Sequence, residues 1–478
     1  MTNKPRNWVL LGITMMSFSC FMASSLLVRQ VGFEASLLTH YSGRIVEILI
    51  CFLIAFIARK ASINPNKIFF LSIGALVVTL TFEFIGPLFS DANTSEYLPV
   101  LDALSGIFYG IYLACTSLLF ARLVSTFSVR EAAVVIPLSW AGSHLIFLFS
   151  FLLPQQSYFW MKIILITVTA LTLYFCLQSV CKGKDIPRSL KPRKETLRII
   201  PLLKDNKYFS LYFGMLVFPF FYGLMAQICS HAEIHAGLFA VSSEIVGIVF
   251  LLLLALSVPL WKNMIDTEGV FIIVLPIFTT AFLLSPFFWG SEVFVSGFIA
   301  KCGFLIYAAL MWIYMQRMTH KAPDQSFFFF GIALGVFYLA LMGGRLSAQV
   351  LILDMGLLDE MVAFASLLAV WLLSMSVLVV LLVNRRYKNK ASSAPQKSAS
   401  LDFDVACASF GAHYHLSERE LSVVKEYARG RTASYIAQEL VVSEETVRTY
   451  LKRSYSKSSC HSRQDLLDKL EAIAQQER

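Results

Sequence analysis

The sequence predicts an all-α protein in two parts, a polytopic helical membrane bundle followed by a small soluble helical domain. Three observations predict it. Of 478 residues, 57% are hydrophobic and only 15% charged, where soluble domains carry about a quarter charged residues. Apolar windows long enough to span a bilayer recur twelve times before residue 384 and stop there. Beyond that point short amphipathic helical patterns take over, each introduced by a cap residue.

A span needs about 20 mostly apolar residues. The twelve windows fall near 8–28, 39–58, 68–89, 98–120, 132–153, 157–178, 209–228, 236–260, 268–288, 291–315, 326–345 and 361–383. The first follows a basic start, Lys4 and Arg6, with no small-residue cleavage pattern behind it, so it reads as a membrane helix and not as a cleaved leader. Short basic loops stay in the cytoplasm. With the N-terminus inside, the inner segments hold 23 Lys and Arg and the outer side only Arg29 and Arg345. The expected localisation is therefore the bacterial cell membrane, multi-pass, with both termini cytoplasmic. The nine cysteines show no close metal-ligand spacing, so neither a disulfide framework nor a metal or other cofactor is expected.

The longest internal loop, "CKGKDIPRSLKPRKETLRIIPLLKDNK" (181–207), separates halves 1–180 and 208–383 of the bundle. Two six-helix halves joined by such a loop resemble the major facilitator superfamily, which implies a binding site between the halves near the midplane. The cytoplasmic Gly, Asp and paired-basic motif of that family is missing from "ARKASINPNK" (58–67), which argues against active transport.

Ionisable residues inside spans line cavities, pair with one another or carry function. Here they are Arg44, Lys162, Lys301 and Arg345 against Glu47, Glu83, Asp102 and Glu244. All lie nearer the outer ends of their spans, which fits an outward-opening cavity, or snorkelling for Lys162 and Asp102 near the boundary. Arg44 and Glu47, three apart on one helix, are expected to satisfy each other. Glu83, Glu244 and Lys301 are the stronger ligand-pocket candidates, with His144 one turn from Trp140 as a polar and aromatic wall. The motifs "GIFYG" (106–110) and "GIALG" (331–335) predict close helix packing.

Residues 384–411, basic and then rich in Ser, Ala and Pro, read as a juxtamembrane linker, and 412–478 as the terminal domain. Ser417 with Glu420 and Ser462 with Asp465 start two helices; Gly430 ends the first, Thr432 caps the next and Ser443 the one after it. The short link Val441-Val442 makes the arrangement a helix-turn-helix. On the helix from Ser443, Val447, Leu451 and Tyr455 face the core, and Thr446, Arg448, Thr449, Lys452, Arg453 and Lys457 point away from it. Arg448 is the candidate for reading a base edge, while Lys452, Arg453 and Lys457 are candidates for phosphates.

The stretch "LSERELSVVKEYARGRTASYIAQELVVSEETVRTYLKRSYSKSSCHSRQDLLDKL" (416–470) resembles the LuxR-type DNA-binding module. Arg419 and Glu420 fall on its R-E pair, Gly430 on the helix-ending glycine, Ile436 and Ala437 on its packed I-A, and Ser443, Thr446, Val447 and Arg448 on the start of its recognition helix. Ser454, Ser458 and Ser459 replace its usual Ile, Leu and Gly, Tyr450 replaces a common His, and Ser434 sits where a Lys often contacts phosphate. The resemblance implies promoter DNA as a partner. It also implies a dimer through the last helix, where Leu466, Leu470 and Ile473 share a face; the other reading of that face is that it closes the domain core.

The whole layout resembles membrane-anchored LuxR-type regulators: a sensor of an unidentified small molecule joined to a DNA reader. The rivals are a facilitator-type transporter with a fused regulatory domain, and a passive anchor. No nucleophile, base and orienter set or phosphate loop supports an enzyme.

Overall fold

The computed structural model describes residues 8–27, 36–85, 98–154, 157–182, 206–231, 236–257, 267–288, 293–320, 322–350, 359–393, 396–460 and 462–476. Most of the central loop 181–207 lies outside them. The chain divides into two compact units, Met1–Val383 and Asn384–Arg478.

The first unit carries α1 (Trp8–Leu27), α2 (Ser36–Lys60), α3 (Pro65–Ile85), α4 (Leu98–Val124), α5 (Val129–Ser150) and α6 (Ser157–Lys182). The second half follows with α7 (Asn206–His231), α8 (Ala236–Ser257), α9 (Thr267–Leu284), α10 (Phe294–Thr319), α11 (Ser326–Gln349) and α12 (Asp359–Ser393). Each apolar window read from the sequence falls on one of them. Among the described residues ten helices are long and apolar enough to cross a membrane, and α8 and α9 contribute the shorter apolar stretches Glu244–Ser257 and Ile273–Leu284. On α2, Leu49, Leu53 and Phe56 are exposed while Ile48, Cys51 and Ala55 are buried. A helix that is apolar all round has no amphipathic stripe to aim inward, so small residues and shape decide which face packs.

Within the first half α1 packs on α5 and α6, and α4 on α2 and α3; within the second, α7 packs on α10 and α11, and α10 on α8 and α9. The halves meet where α2 lies on α11 and α5 on α8. These two contacts exchange equivalent helices, as a two-fold relation between halves requires. The glycine motifs supply the close approaches. A Cβ on Gly110 would come within 2.2 Å of the Gly43 carbonyl oxygen, so α4 and α2 touch backbone to backbone, and one on Gly331 would come within 2.8 Å of the Cys51 oxygen across the halves. Pro137, Pro219 and Pro276 sit inside α5, α7 and α9, as membrane helices tolerate where neighbouring helices support them.

Among the described residues the second unit holds the end of α12 and then α13 (Gln396–His413), α14 (Glu418–Ala428), α15 (Ala433–Glu439), α16 (Glu444–Ser458) and α17 (Arg463–Gln476). Here the expectation of a loose linker over 384–411 is corrected. Residues 396–413 are helical, and Cys407 and Phe410, 1% and 0% exposed, share a core with Val424, Cys460, Leu466 and Leu470. Asp404 adds ion pairs to Lys425 and Arg429 of α14, both at 2.9 Å. The domain thus begins before residue 412. The dimer expectation changes with it: Leu466 and Leu470 are 0% and 4% exposed within the domain's own core, so α13 and α14 already satisfy their apolar surface. The side chain of Ile473 lies outside the described residues.

The predicted caps form. Ser417 and Glu420 make a reciprocal capping box, Thr432 accepts from the Tyr435 amide, Ser443 from the Thr446 amide and Ser462 from the Asp465 amide. Gly430, with φ +97°, ends α14.

Candidate functional site

The helix-turn-helix is built by a second small core of Val423, Ile436, Ala437 and Val447, with Leu440, Val442 and Leu451 packed around it. Val441 occupies the turn at φ 53°, and the Val442 amide donates to the Ala437 carbonyl oxygen at 2.9 Å to close it. With Val447 locked inward, the helical period places Arg448, Thr449, Lys452 and Arg453 on the exposed face of α16. The side chain of Arg448 is 74% exposed and only loosely near Glu444 at 3.8 Å. Thr446 is half-buried, its hydroxyl 2.8 Å from that of Ser443, so it serves the cap as much as the surface.

Lys457 departs from the sequence expectation. Its ammonium donates to Glu420 Oε2 at 2.6 Å and to the His415 carbonyl oxygen at 3.1 Å, tying the end of α16 to the start of α14 and not standing ready for a phosphate. Burial alone would push the Glu420 carboxyl up, but hydrogen bonds from Lys457 and Ser417 outweigh it and hold the group below the usual carboxylate range. A second strut was not visible in the sequence: Lys469 donates to the Ser458 and Ser459 carbonyl oxygens at 2.5 and 3.1 Å, capping the C-terminus of the recognition helix. Ser454 and Ser458 are fully buried and donate to carbonyl oxygens four residues back, at 2.8 and 2.7 Å. They satisfy themselves where the resembled family has larger apolar side chains.

The membrane unit encloses a cavity of about 250 Å³ between its halves, lined from α1, α2, α4 and α5 on one side and α7, α8, α10 and α11 on the other. Five of the six predicted pocket residues line it. Arg44 pairs with Glu47 at 2.5 Å. Glu244 of α8 takes short hydrogen bonds both from His144 of α5 and from Lys301 of α10, so this contact bridges the halves. Glu83 is not among the lining residues: it pairs with Lys162 of α6 at 2.5 Å. That also corrects the snorkelling reading of Lys162, which is 6% exposed and lies 5.2 Å from the centre of the Tyr109 ring. Both halves contribute aromatic rings to the wall. Tyr222 and Phe304 stack at 3.9 Å, and Trp140 lies opposite on the first half.

Along α10 the lining ends in a layer of packed rings. Phe18 stacks on Phe120 at 4.6 Å and meets Trp312 at 5.2 Å, and Trp312 meets Phe330 at 5.2 Å. Past that layer a polar seam joins the halves at the ends of α4 and α10. The hydroxyls of Ser125 and Thr319 lie 2.7 Å apart, Gln316 Nε2 donates to the Phe127 carbonyl oxygen at 2.7 Å, and Arg122 pairs with Asp324 at 2.5 Å. None of these six was legible as a site in the sequence, because Ser, Thr and Gln at helix ends carry no distinguishing pattern.

Comparison with known proteins matches both units. Residues 414–470 match the bacterial regulatory proteins of the luxR family. Over 53 residues the chain is 45% identical to a Pseudomonas aeruginosa protein named as a candidate transcriptional regulator, a stretch covering 11% of this chain and 26% of that one. The membrane unit is similar in fold to a bacterial homologue of the iron transporter ferroportin (14% identity, 78% of this chain and 98% of that chain, TM-score 0.56). It is also similar to the proton:xylose symporter XylE (11%, 78% and 94%, 0.56) and to a human organic anion transporter (11%, 77% and 100%, 0.52). At these identities the likeness shows the fold alone. The chain is thus a multi-pass membrane protein of the major-facilitator fold joined to a helix-turn-helix domain. More closely, that C-terminal domain is of the LuxR (GerE) type. Both parts have the folds of regulators and transporters, neither typically enzymatic.

Proposed function

We propose that the protein is a membrane-bound one-component transcriptional regulator, sensing a small molecule through its membrane unit and binding promoter DNA through α16. The single observation that carries this is the conjunction, in one chain, of an exposed basic recognition helix and an ionisable cavity shared by two half-bundles. Arg448 reads a base edge, Lys452 and Arg453 neutralise phosphates, and Thr446 and Thr449 flank them. The excess of basic residues in alternate loops puts both termini on the cytoplasmic side of the bacterial membrane, where the chromosome is. A molecule in the cavity that contacts both halves favours one arrangement of the bundle and so alters the availability of the DNA domain or its pairing with a second copy.

Transcript profiling of cells carrying wild type or Arg448→Ala, with candidate metabolites added, tests it. Induced genes should lose their response in the variant; an unchanged response sinks the DNA-contact assignment. A transporter that also regulates is favoured by the cavity's position between the halves, and uptake by vesicles containing the purified chain would establish it. The missing signature at residues 58–67 speaks against it.

A further inference from the structure

In both ionic pairs of the cavity that involve a lysine or arginine, the acid is buried deeper than the base. Side-chain exposure is 1% for Glu47 against 15% for Arg44, and 5% for Glu244 against 20% for Lys301. All four side chains line the cavity, and of each pair the cation is the more accessible member. These cations come from opposite walls, Arg44 from α2 in the first half and Lys301 from α10 in the second. Arg44 spends its NH1 nitrogen on Glu47, and a guanidinium carries five donors in a planar fork suited to a carboxylate. Lys301 can turn toward an occupant without stranding Glu244, because His144 also holds that carboxylate. Both halves also bring aromatic rings to the wall, Trp140 from the first and the stacked Tyr222 and Phe304 from the second. At about 250 Å³ the space lies below the ~300–1,000 Å³ of pockets for drug-sized ligands.

We infer that the cavity takes a small organic anion, its carboxylate held between Arg44 and Lys301 and its flat apolar body among Trp140, Tyr222 and Phe304. This rests on the sensing reading above and names the ligand class for it. An anion joined to both cations also ties the first half to the second through the ligand itself.

The test uses the purified full-length chain in lipid nanodiscs, with benzoate as probe, benzamide as its uncharged isostere and acetate as the anion without a ring. Benzoate should bind saturably and raise the melting temperature, with about tenfold higher affinity than either control, the scale of one charge-assisted contact. Removing a lysine alone leaves a buried acid and risks misfolding. The variants are therefore the pair-neutral Lys301→Gln with Glu244→Gln, and Arg44→Gln with Glu47→Gln. Each should erase the preference of benzoate over benzamide. Equal binding of benzamide, undiminished benzoate binding by both double variants, or no binding of benzoate overturns the anion assignment. Promoter occupancy in cells separates the two readings. Benzoate that binds without changing occupancy upholds the anion site and sinks sensing, whereas benzamide that changes occupancy through an intact cavity upholds sensing and sinks the anion class.

Discussion

At the scale of single residues, the recognition helix separates contacts that select a sequence from contacts that only hold. Arg448, on the exposed face of α16, is expected to cost about 1–3 kcal/mol of discrimination when changed to alanine, seen in mobility-shift titrations as relaxed preference at one base pair. Lys452→Ala should instead weaken binding to all sequences alike and reduce the slope of log affinity against log salt by about 1. Lys457 belongs to neither group, because its ammonium is bound to Glu420. The sign of that linkage is fixed by the lowered Glu420 pKa. The pair's contribution is fully present above the unfolded carboxyl value of about 4.3 and is lost as pH falls through the lower folded value. Glu420→Gln should therefore be less stable than wild type at neutral pH, by about 1 kcal/mol given the partial exposure of Lys457, with the difference vanishing in acid. Urea melts at pH 7 and pH 3 check it. The outward placement of Arg448 and Lys452 was readable from the helical period, whereas the pairing of Lys457 with Glu420 was not. Its position on α16 faces outward, and only the fold brings the start of α14 beneath it.

At the scale of elements, α13 shows what the sequence concealed. A basic, Ser- and Pro-containing opening reads as linker, and the apolar pattern of Cys407, Phe410 and Tyr414 behind it is too short to announce a helix without its partner. That partner is the face of Leu466 and Leu470, which periodicity alone left divided between a core and a dimer surface. A fragment starting at residue 412 should consequently be unstable or molten, while one starting at 396 should melt cooperatively; circular dichroism distinguishes them. In the longer fragment Phe410→Ala should cost about 3–5 kcal/mol, the usual price of emptying a fully buried phenylalanine site. The membrane helices, ten of them long and apolar enough to cross among the described residues, were legible because each one needs only length and apolarity. Their mutual arrangement was not, beyond the hint of the glycine pairs, since helices that are apolar on every side carry no record of which side packs.

At the scale of the whole molecule, two polar clusters of different chemistry join the halves of the membrane unit, beside the apolar packing of α2 on α11. One is the cavity, with the His144 and Glu244 contact; the other is the seam of Ser125, Gln316 and Arg122 with their partners. The facilitator signature that was missing from residues 58–67 has no part in that seam. Gln316 is fully buried, so Gln316→Leu strands the Phe127 carbonyl oxygen and should weaken the closed seam by about 1–3 kcal/mol. Arg122→Ala should do much less, because Asp324 is 68% exposed and exposed ion pairs contribute only about 0–1 kcal/mol. Maleimide labelling of the buried Cys115 and Cys302 in lipid is the measurement: faster in the glutamine variant, nearly unchanged in the arginine variant. Equal rates in all three proteins would show that the seam does not restrain the bundle.

The divided wall of the cavity also limits which occupants carry a message. A compound that touches only one half-bundle has the same affinity whichever way the other half stands, and equal affinity moves no equilibrium however tight the binding. Such a molecule would sit in the chamber as a silent competitor, scoring as a hit in a melting assay while leaving the promoter indifferent to it.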